Sequence, residues 1–184
     1  MLTFRNDYKI YKSQLIIDHH EQMIIEIERA HRHFTKNFYN MDPTWGYGFY
    51  NVFAITAPSA LFYDLKKELE TNIRDYLQTD QRLWFQSWIN YHKPNEVLDW
   101  HNHTWPFHGY ISIDPKQTKT VFEGDDPSNG YEILNELGNI YIGPGYRFHK
   151  VEVLEPFDTP RITLGFDIET RPGLSYEQFS LLPL

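Results

Sequence analysis

Nine histidines occur in the 184 residues, and four of them, His92, His101, His103 and His108, fall within 17 positions. Imidazole is the commonest side-chain ligand of transition metals and the side chain that titrates nearest neutral pH, so chemistry is sought there first. His101 and His103 stand two apart in Trp100-His101-Asn102-His103. In an extended segment, side chains at i and i+2 leave the same face about 7 Å apart along the chain, a workable spacing for two ligands of one ion. Asp99 shares that parity and offers a carboxylate to the same face. An HxH pair alone, however, also fits a pocket wall or a surface strand.

His149 adds a third imidazole. It follows Gly138-Asn139-Ile140-Tyr141-Ile142-Gly143-Pro144-Gly145, a strand and tight turn that bring the chain back, and it alternates with Val151 and Val153. It reads either as one buried, hydrogen-bonded histidine or as the distal ligand of a metal. Twelve residues on, Arg161-Ile162-Thr163-Leu164-Gly165-Phe166-Asp167 alternates strictly, with Ile162, Leu164 and Phe166 on one face. The other face carries Arg161 and Thr163, a guanidinium fork and a hydroxyl that together can grip a carboxylate. An exposed salt-bridging face would show the same pattern.

Positioning such residues takes strands. From Leu83 the chain reads almost wholly as β: Leu83–Tyr91, Val97–His103, Phe107–Ile113, Thr118–Phe122, Tyr131–Leu134, Asn139–Ile142, Phe148–Leu154 and Arg161–Ile168. Turn residues such as Lys93-Pro94-Asn95, Asp114-Pro115, Gly143-Pro144-Gly145 and Asp158-Thr159-Pro160 separate them. Many short strands with close turns predict a sandwich or jelly-roll barrel. Ahead of them come two helical patterns, Met23-Ile27-Ala30-Phe34 and Leu61-Leu65-Leu69-Ile73-Leu77. Asp18 with Glu21 suits a capping box for the first, and Pro58-Ser59 opens the second. Between them, Trp45–Phe53 reads as an aromatic strand. The expectation is one mostly-β, α+β domain over residues 1–184. It divides into a helical support region at 1–82 with the aromatic strand, a β core at 83–170, and a tail at 171–184.

Composition narrows the chemistry. No cysteine is present, which excludes a disulfide scaffold, thiolate zinc, iron–sulfur ligation and a cysteine nucleophile. A net charge of −8 argues against nucleic-acid partners, and no apolar run reaches the ~20 residues of a membrane span. Behind Met1 there is no signal-like apolar segment, so a cytoplasmic location is expected. The Gly124–Gly130 run carries two aspartates that could favour a basic group, although such runs are usually solvated turns.

Taken in order, these pieces resemble the iron(II)/2-oxoglutarate-dependent oxygenases over residues ~83–168. The likeness is nearest to the prolyl-hydroxylase-like branch and to sequences with HxH in place of HxD. Its carriers are Tyr91, His101-Asn102-His103, His108-Gly109-Tyr110-Ile111, Leu137–Pro144, His149 and Pro160–Asp167. The resemblance implies a double-stranded β-helix, a jelly-roll or cupin-like barrel. It makes His101 and His149 metal ligands and puts His103 where the usual carboxylate stands. Arg161 would bind the distal carboxylate of 2-oxoglutarate, with Thr163 and Tyr91 as hydrogen-bonding neighbours. Iron(II), 2-oxoglutarate and dioxygen would be the cofactor set, and hydroxylation of a C–H bond in a small-molecule or peptidyl substrate the reaction.

His103 departs from the common triad of two histidines and one carboxylate and leaves the site one unit more positive; Asp99 is the alternative third ligand. Two other functions fit parts of the pattern. A three-histidine cupin dioxygenase would need no 2-oxoglutarate, and a non-catalytic jelly-roll would bind a ligand through its aromatics without metal.

Overall fold

The computed structural model describes residues 7–37, 42–44, 46–94, 96–124, 130–170 and 181–184. Its layering follows from the alternation at the C-terminal end of the β region. Strand β8 (Arg161–Glu169) is buried along its whole length, so both of its faces are covered. Ile162, Leu164, Phe166 and Ile168 join a core with the helices. Arg161, Thr163, Gly165 and Asp167 face the other way, into the protein rather than to solvent. The salt-bridging surface reading of that strand is therefore excluded.

The remaining strands are β1 (Lys9–Lys12), β2 (Trp84–His92), β3 (Phe107–Asp114), β4 (Thr118–Phe122), β5 (Tyr131–Leu134), β6 (Asn139–Pro144), β7 (His149–Val153) and β9 (Leu182–Pro183). A six-stranded antiparallel sheet runs β1-β6-β3-β8-β2-β9, and a second sheet runs β5-β4-β7. Residues of both sheets meet across one interior space: Trp88, Asn90, Tyr110, Arg161 and Thr163 from the first, Thr120, His149 and Val151 from the second. On the outer face of the larger sheet lie helices α1 (Gln14–Asp18), α2 (His20–Asn37), α3 (Val52–Ile55) and α4 (Ala60–Leu77). Met23, Ile27, Ala30 and Phe34 of α2 and Phe62, Leu65, Leu69 and Ile73 of α4 are their buried stripes. Among the described residues, no helix is long and apolar enough to cross a membrane.

Four expectations are corrected. The aromatic strand over 45–53 is absent: Tyr47–Phe49 is a 3₁₀ turn and α3 follows, because Asn51 Oδ1 accepts from the Phe53 N–H and starts a helix. Trp45 itself lies outside the described residues. Asp18 does not cap a helix; Ser13 caps α1 instead, and Asp18 ends that helix, accepting from the Gln14 side-chain amide. Val97–His103 is not a strand. Only His101 pairs there, in an isolated antiparallel bridge with His149. Finally, both flanking regions contribute strands, since β1 borders β6 and β9 borders β2. Most of the Gly124–Gly130 run and residues 171–180 lie outside the described residues.

Candidate active site

His101 and His149 are brought together by backbone. The His101 N–H donates to the His149 carbonyl at 3.0 Å, and the His149 N–H donates back at 2.8 Å. Their rings stand 4.3 Å apart between centroids. The His103 N–H donates to the Gly145 carbonyl at 2.8 Å, which holds the second half of HxH against the turn before β7. One ligand atom from each of His101, His103 and His149 falls within 4.8 Å of the others. The irregular segment thus delivers the convergence that a strand was expected to supply.

Each ring has an acceptor at Nδ1. His101 Nδ1 is 2.6 Å from the Asp99 carbonyl and His149 Nδ1 is 3.1 Å from the Arg147 carbonyl. A carbonyl only accepts, so the proton sits on Nδ1 and Nε2 keeps its lone pair for a metal. His103 Nδ1 is 2.7 Å from Asp167 Oδ1. Those two atoms are close but not aligned for a hydrogen bond, and Asp167 Oδ1 has no other partner among the described residues. This donor set fits a divalent transition metal. Asp99 does not join it: its carboxylate caps the Trp100 N–H at 2.7 Å and is exposed.

Burial keeps His101, His108 and His149 neutral. It lowers the His149 pKa to about 3, helped by His101, and lowers that of His101 as well. His108, fully enclosed, stacks on His103 and His149 at 4.4 and 4.6 Å, and burial pushes its pKa well below the usual value. The unfolded chain binds these protons near pH ~6.5 while the folded chain does not. Their contribution to stability is therefore complete above ~6.5 and is lost as pH falls toward 3. The metal-free protein should melt at progressively lower temperature from pH 6.5 to 4, in a calorimetric series at fixed ionic strength. Burial raises the Asp167 pKa, which acts in the opposite sense, but it is one group against several histidines. A flat profile across that range would contradict the burial of neutral imidazoles.

At the other end of the same cavity, Arg161 is 2% exposed. Its Nε donates to Thr118 Oγ1 and its Nη1 to His92 Nδ1, both at 3.3 Å. Neither partner is an anion, and burial with no compensating carboxylate lowers the arginine pKa to about 10. Because His92 Nδ1 accepts, its proton is on Nε2, which has no partner among the described residues. Ser112 Oγ also lacks one, and the Tyr110 hydroxyl makes no well-formed hydrogen bond. Thr163 Oγ1 accepts from Asn90 Nδ2 at 3.2 Å, so its own proton is left to donate. A buried cation that shares a cavity with the Thr163 and Tyr110 hydroxyls has the chemistry to take an anion. This interior cavity is narrow, about 40 Å³, and Leu98 from the irregular segment forms part of its wall.

Tyr91 is not part of it. Its ring stacks on His31 of α2 at 4.1 Å, on the helix side of β2, whereas Asn90 and His92 point inward. The two-residue period of a strand allows one parity or the other, and Tyr91 has the outer one.

Outside the triad lies a pocket of about 370 Å³, floored by His101, His103 and Asp167 and walled by Tyr47, Trp88, Leu98, Trp100 and Trp105. Gly165 lets the Trp88 indole lie flat against β8, since a Cβ there would sit 2.5 Å from the ring. A larger cleft, about 460 Å³, opens between α2 and α3 but holds none of these residues.

No family model and no curated protein sequence matches this chain. Solved structures do. A prolyl-4-hydroxylase from Pseudomonas putida aligns over 91% of this chain and 89% of its own, with TM-score 0.58 and 11% identity. HygX from Streptomyces hygroscopicus, solved with nickel and 2-oxoglutarate bound, aligns over 94% and 88%, with TM-score 0.58 and 12% identity. The non-heme α-ketoglutarate-dependent carbocyclase SnoK from nogalamycin biosynthesis aligns over 92% and 83%, with TM-score 0.61 and 12% identity. The chain has their fold. At such identities the likeness concerns the oxygenase fold alone, and the chemistry rests on the residues described above.

Proposed function

We propose that this protein is an iron(II)- and 2-oxoglutarate-dependent oxygenase of the HxH type, with its two sheets forming a double-stranded β-helix. The observation that carries the reading is Arg161, a buried guanidinium with no anionic partner among the described residues, in the same cavity as three convergent imidazoles. His101, His103 and His149 would hold the metal through Nε2. Arg161 would grip the distal carboxylate of 2-oxoglutarate with its two outer nitrogens, and Thr163 and Tyr110 would donate their hydroxyl protons to it. Bound iron(II) would supply the redox chemistry that converts 2-oxoglutarate, dioxygen and a C–H bond into succinate, carbon dioxide and a C–OH group.

This chain's own part is to bind, orient and exclude water. Trp88, Leu98 and Val151 line the cavity in which the cosubstrate would be held. Tyr47, Trp100 and Trp105 line the pocket in which an acceptor would lie beside His101 and His103. No lysine or arginine lines that outer pocket among the described residues, which suits an acceptor without a carboxylate or phosphate at the reacting end. The enzyme would act in the cytoplasm on a small-molecule or peptidyl substrate.

The test is succinate formation by the iron-loaded protein supplied with 2-oxoglutarate and air, measured with and without the Arg161→Ala change. The expected result is slow, metal-dependent succinate release even without the true acceptor, and at least a tenfold lower rate in the variant at subsaturating 2-oxoglutarate. Oxygen uptake without succinate would point to a three-histidine cupin dioxygenase. A protein that binds no metal would be a non-catalytic jelly-roll.

A further inference from the structure

A site of three neutral imidazoles around a divalent ion carries two full positive charges, one more than a site with a carboxylate ligand. The strand that supplies Arg161 at one end of the interior supplies a carboxylate at the other. Asp167 is 2% exposed, shares the inward parity of Arg161, Thr163 and Gly165, and has neither lysine nor arginine against it among the described residues. A buried carboxylate with an idle oxygen and no cation is as anomalous as the buried arginine. His103 Nδ1 lies 2.7 Å from Asp167 Oδ1, on the ring that stands where a carboxylate ligand is usual.

We propose that His103 and Asp167 act as one unit, in which Asp167 holds the imidazole by Nδ1 with Nε2 toward the metal and returns the negative charge that the triad lacks. The inference rests on the metal reading above. Asp167 stands behind His103 and is not a fourth ligand: the atoms that gather within 4.8 Å belong to His101, His103 and His149 only. A carboxylate on the far side of a ligating histidine fixes the tautomer, orients the ring and raises its basicity. Asp167 is thus a positioning residue. It acts through His103, and this makes its effect conditional on what occupies position 103.

That condition is the test. Mn(II) affinity is measured by calorimetry on the full chain for wild type, Asp167→Asn, His103→Asp and the double variant, with metal-free melting confirming that each is folded. Asp167→Asn, nearly isosteric, should weaken Mn(II) binding about 10–100-fold, the usual loss for an outer partner of a metal-bound histidine, with one ion per chain retained. In the His103→Asp background the sign should reverse. There the ligand is itself a carboxylate, Asp167 only repels it, and Asp167→Asn should leave affinity equal or tighter. The double variant is an ordinary two-histidine, one-carboxylate site and should bind Mn(II).

Several results would overturn the proposal: an unchanged affinity in Asp167→Asn, the same loss in both backgrounds (the mark of a merely structural role), or a double variant that binds no metal. So would a His103→Ala protein that keeps Mn(II) while Asp167→Asn loses it, since Asp167 would then be a ligand. Wild type that binds no Mn(II) would instead sink the metal reading itself, a separate failure visible before any variant is made.

Discussion

Replacing His149 with alanine will abolish metal binding at micromolar Mn(II) or Fe(II). His149 meets His101 across an antiparallel bridge made of backbone hydrogen bonds, so the alanine variant keeps the pairing and loses only the imidazole. Burial holds that imidazole neutral far below pH 7, so in the wild type no proton competes with the metal there. Two remaining histidines make a weak site, and loss of a direct ligand should exceed the roughly 10–100-fold cost of losing an outer partner. His101→Ala should behave alike, and His103→Ala should also lose metal. Asp99→Ala should bind as wild type, because the Asp99 carboxylate caps the Trp100 N–H in solvent while only its carbonyl serves His101. Equilibrium dialysis on the four variants checks this. Wild-type affinity in both His101→Ala and His149→Ala would remove the triad altogether.

The strands were legible in the sequence wherever both faces had a job. In Arg161–Asp167 every second residue is apolar because the helices cover that side, and the expected and observed strand starts coincide. The expected bounds of Thr118–Phe122 and Tyr131–Leu134, in the smaller sheet away from the helices, also coincide with the observed ones. Short edge strands carry no such pattern: Lys9–Lys12 is mostly exposed, and Leu182–Pro183 spans two residues, so neither announces itself. Aromatic content misled at Tyr47–Phe53, where one asparagine side chain closing on the backbone outweighs β-propensity. Tyr91 shows the limit of carrying a role over by resemblance across a turn, for the inward residues of β2 are Asn90 and His92.

The three histidines could be named from spacing, but their partners could not. Asp167 could be placed on the strand face of Arg161 and Thr163, but whether that face was covered or exposed stayed open in the sequence. That it lies behind His103 depends on an irregular segment held to the Gly145 turn by one backbone bond, which no periodicity encodes. His108 and Tyr110 likewise follow from β3 facing the cavity, a matter of sheet order rather than local sequence.

Arg161→Ala is expected to leave metal binding nearly intact and to weaken 2-oxoglutarate binding by at least tenfold. The guanidinium uses Nε on Thr118 and one Nη1 proton on His92, which leaves an edge of donors free for a carboxylate. A hydrogen bond to a charged group is worth ~1.5–3 kcal/mol, and ~1.4 kcal/mol is tenfold in affinity, so even one such bond gives the stated loss. The vacated site also matters, because the carboxylate would then be buried beside the Tyr110 and Thr163 hydroxyls without the guanidinium to balance it. Arg161→Lys should recover only part of the affinity, since an ammonium cannot reproduce the planar fork or reach both Thr118 and a ligand. Anaerobic titration of the metal-loaded protein with 2-oxoglutarate, followed by its metal-to-cosubstrate absorbance band, reads the effect directly. Equal affinity in wild type and Arg161→Ala would take away the anion site, and with it the reason to prefer an oxygenase that uses 2-oxoglutarate over a cupin that acts on its substrate alone.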